Sequence, residues 1–214
     1  MNTEAKAGQA AFDSAATRQR LPPKERREQI VAEAVRFFAD VGLDGNTRDL
    51  AKRLGVTQSL LFRYFSTKDE LLEAVYGTVY LDRLSPDWPE RLCDRGVPLR
   101  ARLIAFYSEY SALIFQREWM RIFMFSGLAG AALNRRYLEH LGEVILGPLL
   151  EETARLTRTA RRPIMEDVWD LHGGIVYIGI RQHIYSMPAP DDPEEAIARA
   201  IDKYLAAFGI GPQD

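Results

Sequence analysis

The stretch Thr47-Arg-Asp-Leu-Ala-Lys-Arg-Leu-Gly-Val-Thr-Gln-Ser-Leu-Leu-Phe-Arg-Tyr-Phe65 reads as two short helices joined by a tight turn. Thr47 is placed to cap the first helix, because a threonine hydroxyl accepts a bond from an otherwise unpaired backbone N–H. Leu50, Ala51 and Leu54 fall on one helical face. Gly55 marks where that helix stops, since glycine enters the left-handed region without steric cost. Thr57 caps the second helix, and Leu61 and Phe65 form its buried side. Ala51, Gly55 and Leu61 have the spacing of a helix-turn-helix: a small residue where the helices cross, a corner, and an apolar plug. In that arrangement Gln58, Ser59, Phe62 and Arg63 face outward on a recognition helix shaped for a major groove. The same turn also occurs as a purely structural element, so the flanking sequence has to decide.

Upstream, Lys24 to about Asp40 is amphipathic, with Ile30, Ala34, Phe37 and Val41 on one stripe widened by Val31 and Phe38. Pro22-Pro23 precedes it, as tolerated in a first helical turn, and Gly42 ends it. Arg26 and Arg27 are candidate phosphate contacts or simply a solvated face. Downstream, Thr67 and Glu70 form a capping box, opening a helix that carries Leu71, Leu72, Val75 and Val79 to about Leu84. Lys68 lies in its first turn, where a cation opposes the helix dipole; a DNA phosphate would account for it.

From about Arg27 to Tyr76 the sequence resembles the DNA-binding domain of TetR-family (tetracycline-repressor-like) regulators. The resemblance rests on Phe-Phe-Ala-Asp-Val-Gly42, Thr47-Arg-Asp-Leu-Ala51, Leu54-Gly-Val56 and Leu61-Phe-Arg-Tyr-Phe-Ser-Thr-Lys-Asp-Glu-Leu-Leu72, over about fifty residues. It implies that Thr47, Tyr64 and Lys68 grip phosphates. Phe62 stands where the family commonly has a tyrosine whose hydroxyl reaches phosphate, so Arg63 either replaces that contact or reads a base. Arg48, Gln58, Ser59, Leu60 and Arg63 are the candidate base readers. Glutamine pairs bidentately with adenine, and Leu60 suits a thymine methyl.

The rest of the chain reads as helical. Residues 1–21 have few large apolar groups and are expected to form a disordered tail; residues 22–84 form the helix-turn-helix domain with its connecting helix; residues 85–214 form a second helical domain. Within it, 85–98 reads as loop. Stripes follow at Leu99–Leu113, Trp119–Leu128, Asn134–Arg158 (kinked at Pro148) and Ile164–Tyr185. The last helix opens at Asp192-Pro-Glu-Glu195 and closes at Gly209. No segment alternates as a strand, so the expected fold is all-α with about nine helices.

The 214 residues are 47% hydrophobic and 27% charged, with a formal net charge of −2, so the whole molecule is not a general polyanion binder. Residues 24–68 hold nine Lys or Arg against six Asp or Glu, whereas 69–214 hold sixteen against twenty-two. A basic end on an acidic body suits a protein that touches phosphate with one end only. Cys93 is the only cysteine, which rules out an internal disulfide framework and suits a reducing, cytoplasmic setting. No run of about 18 apolar residues suggests a membrane span. No Gly-rich phosphate loop, G-x-S-x-G or H-E-x-x-H is present; His140, His172 and His183 are dispersed, and no cofactor, metal site or catalytic residue is expected.

The final two helices carry Ile175, Ile178, Ile197, Ile201 and Tyr204 together with Gly173, Gly174 and Gly179. Packing within the subunit is one reading; the resemblance implies a homodimer in which these helices pair with their copies. Aromatic residues concentrate in the body, mostly as core. The resemblance implies an effector pocket there, with Phe106, Tyr110, Trp119, Phe123, Trp169 and His172 as candidates. The expected function is a ligand-responsive regulator, most simply a repressor, that binds a palindromic double-stranded DNA operator as a homodimer and is released by a small apolar effector. The competing reading is an all-helical enzyme or lipid-binding protein whose helix-turn-helix is structural.

Overall fold

Pro22 enters α1 (Pro23–Val41) with extended backbone, and Pro23 occupies the first helical position, where its missing N–H leaves no donor unpaired. Ile30, Val31, Ala34, Phe37 and Phe38 are buried on the expected stripe. Val41 departs from it: on the last turn, where the chain leaves the helix at Gly42, it is exposed. The computed structural model describes residues 21–80, 83–130 and 132–214; the expected N-terminal tail lies outside these, apart from Leu21.

After α1 come α2 (Thr47–Leu54), α3 (Gln58–Phe62) and α4 (Lys68–Val79). Thr67 Oγ1 accepts the amide of Glu70 at 3.0 Å, and the Glu70 carboxylate returns to the amide of Ser66 at 2.7 Å. The capping box therefore closes on the residue before the cap. The segment read as loop contains a short helix, α5 (Trp88–Cys93). Pro89 sits in its first turn, and Trp88 and Leu92 are buried. Prolines that signal a loop in sequence here serve a helix start.

The body continues with α6 (Leu99–Ile114), α7 (Arg117–Leu128) and α8 (Ala132–Leu141). A π-helical turn, Gly142–Leu146, joins α8 to α9 (Gly147–Leu156). This turn is how the helix accommodates Pro148, which has no amide to donate and clashes with a regular preceding turn. Then follow α10 (Met165–His183) and α11 (Pro193–Ala207), where Asp192 caps Glu195 N at 2.9 Å. The described residues are helices and connections with no strand. The fold is all-α; α8, the π turn and α9 counted as one rod give ten, the additional one being α5.

Three layers of contact hold the parts together. α1 packs on α2 and α4 and also on α7 of the body; α6 packs on α10 and α11. Glu152 of α9 is a buried carboxylate holding Arg95, Arg102 and Arg155. Hydrogen bonding from Arg155 outweighs the opposing effect of burial, and with Arg95 and Arg102 it brings the Glu152 carboxyl down to about 2. Tyr80, immediately after α4, is fully buried with its ring 5.1 Å from Trp119 and 5.5 Å from Tyr137.

Candidate nucleic-acid interface and body pockets

Asn46, not Thr47, caps α2: its Oδ1 accepts the Arg48 amide at 2.8 Å. Thr47 becomes the first helical residue, and its Oγ1 accepts a hydrogen bond from Gln58 Nε2 at 2.9 Å. Asparagine is as good a cap former as threonine, and the cap lies one residue earlier than expected. The corner follows expectation, with Gly55 at φ +66° in the left-handed region. Thr57 Oγ1 caps α3 through the Leu60 amide at 3.2 Å. Leu50, Ala51, Leu61 and Phe65 are buried, and each fully buried large side chain contributes roughly 1.5–3 kcal/mol. They fix the angle at which α3 leaves the turn.

That packing sorts the candidate contact residues. Arg48, Ser59, Phe62 and Arg63 are exposed; Gln58, Leu60, Tyr64 and Lys68 are half-buried; Thr47 is buried. Arg48 thus lies on α2, Gln58, Ser59 and Leu60 on α3, and Arg63 just past the end of α3. Lys68 begins α4 with its ammonium 5.9 Å from the Phe38 ring centroid, and Arg27 lies 4.7 Å over Phe65. The aromatic faces hold two cations beside α3 at the N-terminus of α4.

The helix-turn-helix unit is tied to the body by contacts the sequence did not suggest. Arg121 of α7 donates to the carbonyl of Ala39 at 2.5 Å, and Arg117 pairs with Asp40 at 2.9 Å. Asp40 also holds Arg53 of α2 at 2.8 Å, and hydrogen bonds from Arg53 and then Arg117 lower its carboxyl below the usual range. Long-range pairs of this kind have no periodic signature.

The six pocket candidates do not line one chamber. Phe106 and Tyr110 stack at 5.4 Å, with Tyr110 also 5.4 Å from His172; Trp119 and Phe123 form a second stack at 5.0 Å. Tyr137 bridges the groups through its hydroxyl, 2.8 Å from that of Tyr110, and its ring beside Trp119. Among the described residues, three sizeable cavities lie around this filled aromatic core. One of about 240 Å³ has Phe106, Trp88 and Arg102 on its wall. Another of about 480 Å³ lies between Leu84–Pro89 and His140–Ile145. The third, an open groove of about 720 Å³, has Trp169 and Asn134 on its wall. Phe106 and Trp169 are the two of the six that reach these walls. His172 is buried beside Trp169, Tyr107 and Tyr110, and burial pushes its pKa down to about 4, leaving a neutral ring.

The residues proposed for the dimer interface need correction. Ile175, Ile178, Ile197, Ile201 and Tyr204 are buried in the subunit's own core, and Tyr204 donates to Thr153 Oγ1 at 3.0 Å. A side chain already covered by its own chain has no area left for a partner. The open side of α10 instead presents Gly173, Gly174 and Tyr177; a methyl group at either glycine would meet nothing within 4 Å. Among the described residues no group of three or more His, Cys, Asp or Glu is placed to hold a metal.

An all-α chain whose second and third helices form a capped, glycine-cornered helix-turn-helix has the architecture of the helix-turn-helix regulators. Residues 30–75 match the family model described as bacterial regulatory proteins, tetR family. The tetracycline repressor protein class C of Escherichia coli is 34% identical over 91 residues, covering 39% of this chain and 42% of that protein. The transcriptional activator FasR of Mycolicibacterium smegmatis is 33% identical over 111 residues, covering 47% of this chain and 50% of that one. The chain therefore spans about half or less of the length of these curated relatives. A TetR-like regulator from Rhodococcus sp. RHA1 has the same fold, with a TM-score of 0.67, 19% identity, and coverage of 87% of this chain and 99% of the other. Residues 30–75 thus form a helix-turn-helix domain of the TetR type, and the body shares the fold of TetR-like regulators.

Proposed function

We propose that this protein is a ligand-responsive, cytoplasmic transcriptional regulator that binds a palindromic operator as a homodimer, acts as a repressor, and is released by a small, largely apolar effector. The observation that carries the reading is the rigid presentation of Arg48, Gln58, Ser59, Leu60 and Arg63 around a turn held by buried Leu50, Leu61 and Phe65. The matched family model describes regulatory proteins, which speaks against the competing reading of an enzyme with a structural helix-turn-helix. No helix among the described residues is long and apolar enough to cross a membrane.

Tyr64 and Lys68 are assigned to the phosphate backbone, and Phe62, which has no hydroxyl to donate, to apolar contact beside it. Thr47 acts mainly through Gln58, because its side chain is buried and engaged there. Dimerisation is assigned to the open face of α10 around Gly173, Gly174 and Tyr177, since small residues let a second helix approach closely. Two recognition helices then meet half-sites one helical turn, ~34–36 Å, apart. The effector acts on the body, and α7 transmits its presence to α1 through Arg117 and Arg121. The ligand shifts operator affinity only by its differential affinity for the two states.

The test is selection of bound duplexes from a random pool by the purified protein. Recovery of an inverted repeat with half-sites about 10 base pairs apart is the expected result. Binding without sequence enrichment would sink the proposal.

A further inference from the structure

The open groove at the end of α7 has a polarity that selects its ligand. Its wall includes Asn134, Arg135, Glu139 and Glu143 from α8 and the π turn, and Met165 and Trp169 from α10. Asn134 is about nine-tenths buried. Its Nδ2 donates to the carbonyl of Phe123 at 2.8 Å. A carbonyl only accepts, so this bond fixes which end of the amide is nitrogen. The other end, Oδ1, is then an acceptor, and it is buried without a partner. A buried acceptor left unsatisfied is costly, and a donor brought by a ligand would relieve it. Glu139 and Glu143, four residues apart on the same helical side, are exposed, and neither is held in an ion pair among the described residues. The groove walls thus carry two carboxylates against one guanidinium. Trp169, half-buried, contributes an aromatic face of the kind that attracts cations, and Met165 and Leu138 add apolar surface.

We propose that this groove binds an organic ammonium ion with an apolar body. Its N–H donates to Asn134 Oδ1, its charge is balanced by Glu139 and Glu143, and its hydrocarbon part lies against Trp169 and Met165. The proposal rests on the body being the sensing part of the regulator and names the chemistry of what it senses. The ligand also reaches α7 directly. Asn134 is bonded to the Phe123 carbonyl, and a Cβ at Gly127 would stand only 3.0 Å from Asn134 Nδ2. Displacement at this end acts on the helix that carries Arg117 and Arg121 to α1.

The experiment is calorimetric titration of the full chain, without DNA, with 4-phenylbutylammonium, its N-trimethyl analogue and the similarly sized 5-phenylpentanoate. The primary ammonium is expected to bind at least ten-fold tighter than the carboxylate. A Glu139→Gln/Glu143→Gln variant, altered only at exposed positions, should lose about ten-fold in ammonium affinity. Asn134→Leu should weaken the primary ammonium more than the trimethyl compound, which has no N–H to donate. Should Asn134→Leu fail to fold, the glutamine variant and the comparison of ammonium with carboxylate still decide. Carboxylate binding as tight as ammonium, no ammonium binding, or indifference of ammonium affinity to the Glu139/Glu143 changes would overturn the assignment. Duplex selection by the same protein is independent of these titrations, so failure here is distinguishable from failure of the regulator reading.

Discussion

Replacing Gln58 by Ala tests whether the turn is a reader of sequence. The Gln58 amide does not wait free: its Nε2 donates to Thr47 Oγ1 at 2.9 Å. An amide nitrogen carries two hydrogens, so one remains for adenine N7 while Oε1 accepts from the adenine amino group. The bond to Thr47 therefore preorients the reader. A bidentate pair discriminates by about 1–3 kcal/mol, so Gln58→Ala should weaken binding to the selected operator about 5- to 150-fold and leave binding to random duplex almost unchanged. Thr47→Val keeps the shape but removes the acceptor, and a neutral hydrogen bond contributes a net of about 0.5–1.5 kcal/mol. Its loss on the operator should be smaller than that of Gln58→Ala and should vanish when Gln58 is already Ala. Fluorescence anisotropy at fixed salt on the four proteins of this cycle measures the coupling. Equal losses on operator and random DNA, or a strictly additive cycle, would refute the reasoning.

Lys68→Ala should weaken binding to every duplex and reduce the slope of log K against log salt by about one; an unchanged slope removes Lys68 from the phosphate set. Tyr177→Glu on the open face of α10 should yield a folded monomer by sedimentation, whereas Ile175→Glu, in the core, should destabilise the subunit itself; a dimeric Tyr177→Glu protein would place the interface elsewhere. His172 has a folded pKa of about 4 against 6.5 ordinarily, through burial. The unfolded chain thus takes up a proton at a pH where the folded one does not, and stability is lost as pH falls from about 6.5 towards 4. The difference between pH 7.5 and pH 5 should be about 2 kcal/mol in urea titrations and should be absent from a His172→Gln protein that folds. The same pH dependence in both proteins would show that another group is responsible.

The helix-turn-helix unit was legible in the sequence because its determinants are local. A cap, a glycine corner, a small residue at the crossing and an apolar residue every third or fourth position each act within one or two helical turns. Gly55, Thr57, Leu61 and Thr67 accordingly do what their spacing indicates. Even here, the cap is Asn46 and not Thr47, whose hydroxyl instead accepts a bond from Gln58, eleven residues further on. Further along the chain, periodicity shows that Ile175 lies on the apolar stripe of α10 and Ile197 and Ile201 on that of α11, but not whether the covering surface belongs to the same chain. Only the packing of α10 and α11 on α6 assigns them to the subunit core. Likewise, aromatic composition identifies a rich body but not its voids. Space is what remains after every side chain has been placed, so the cavities around Trp88 and Trp169, the acceptor left on Asn134 and the Asp40–Arg117 tie were decided by the tertiary structure alone.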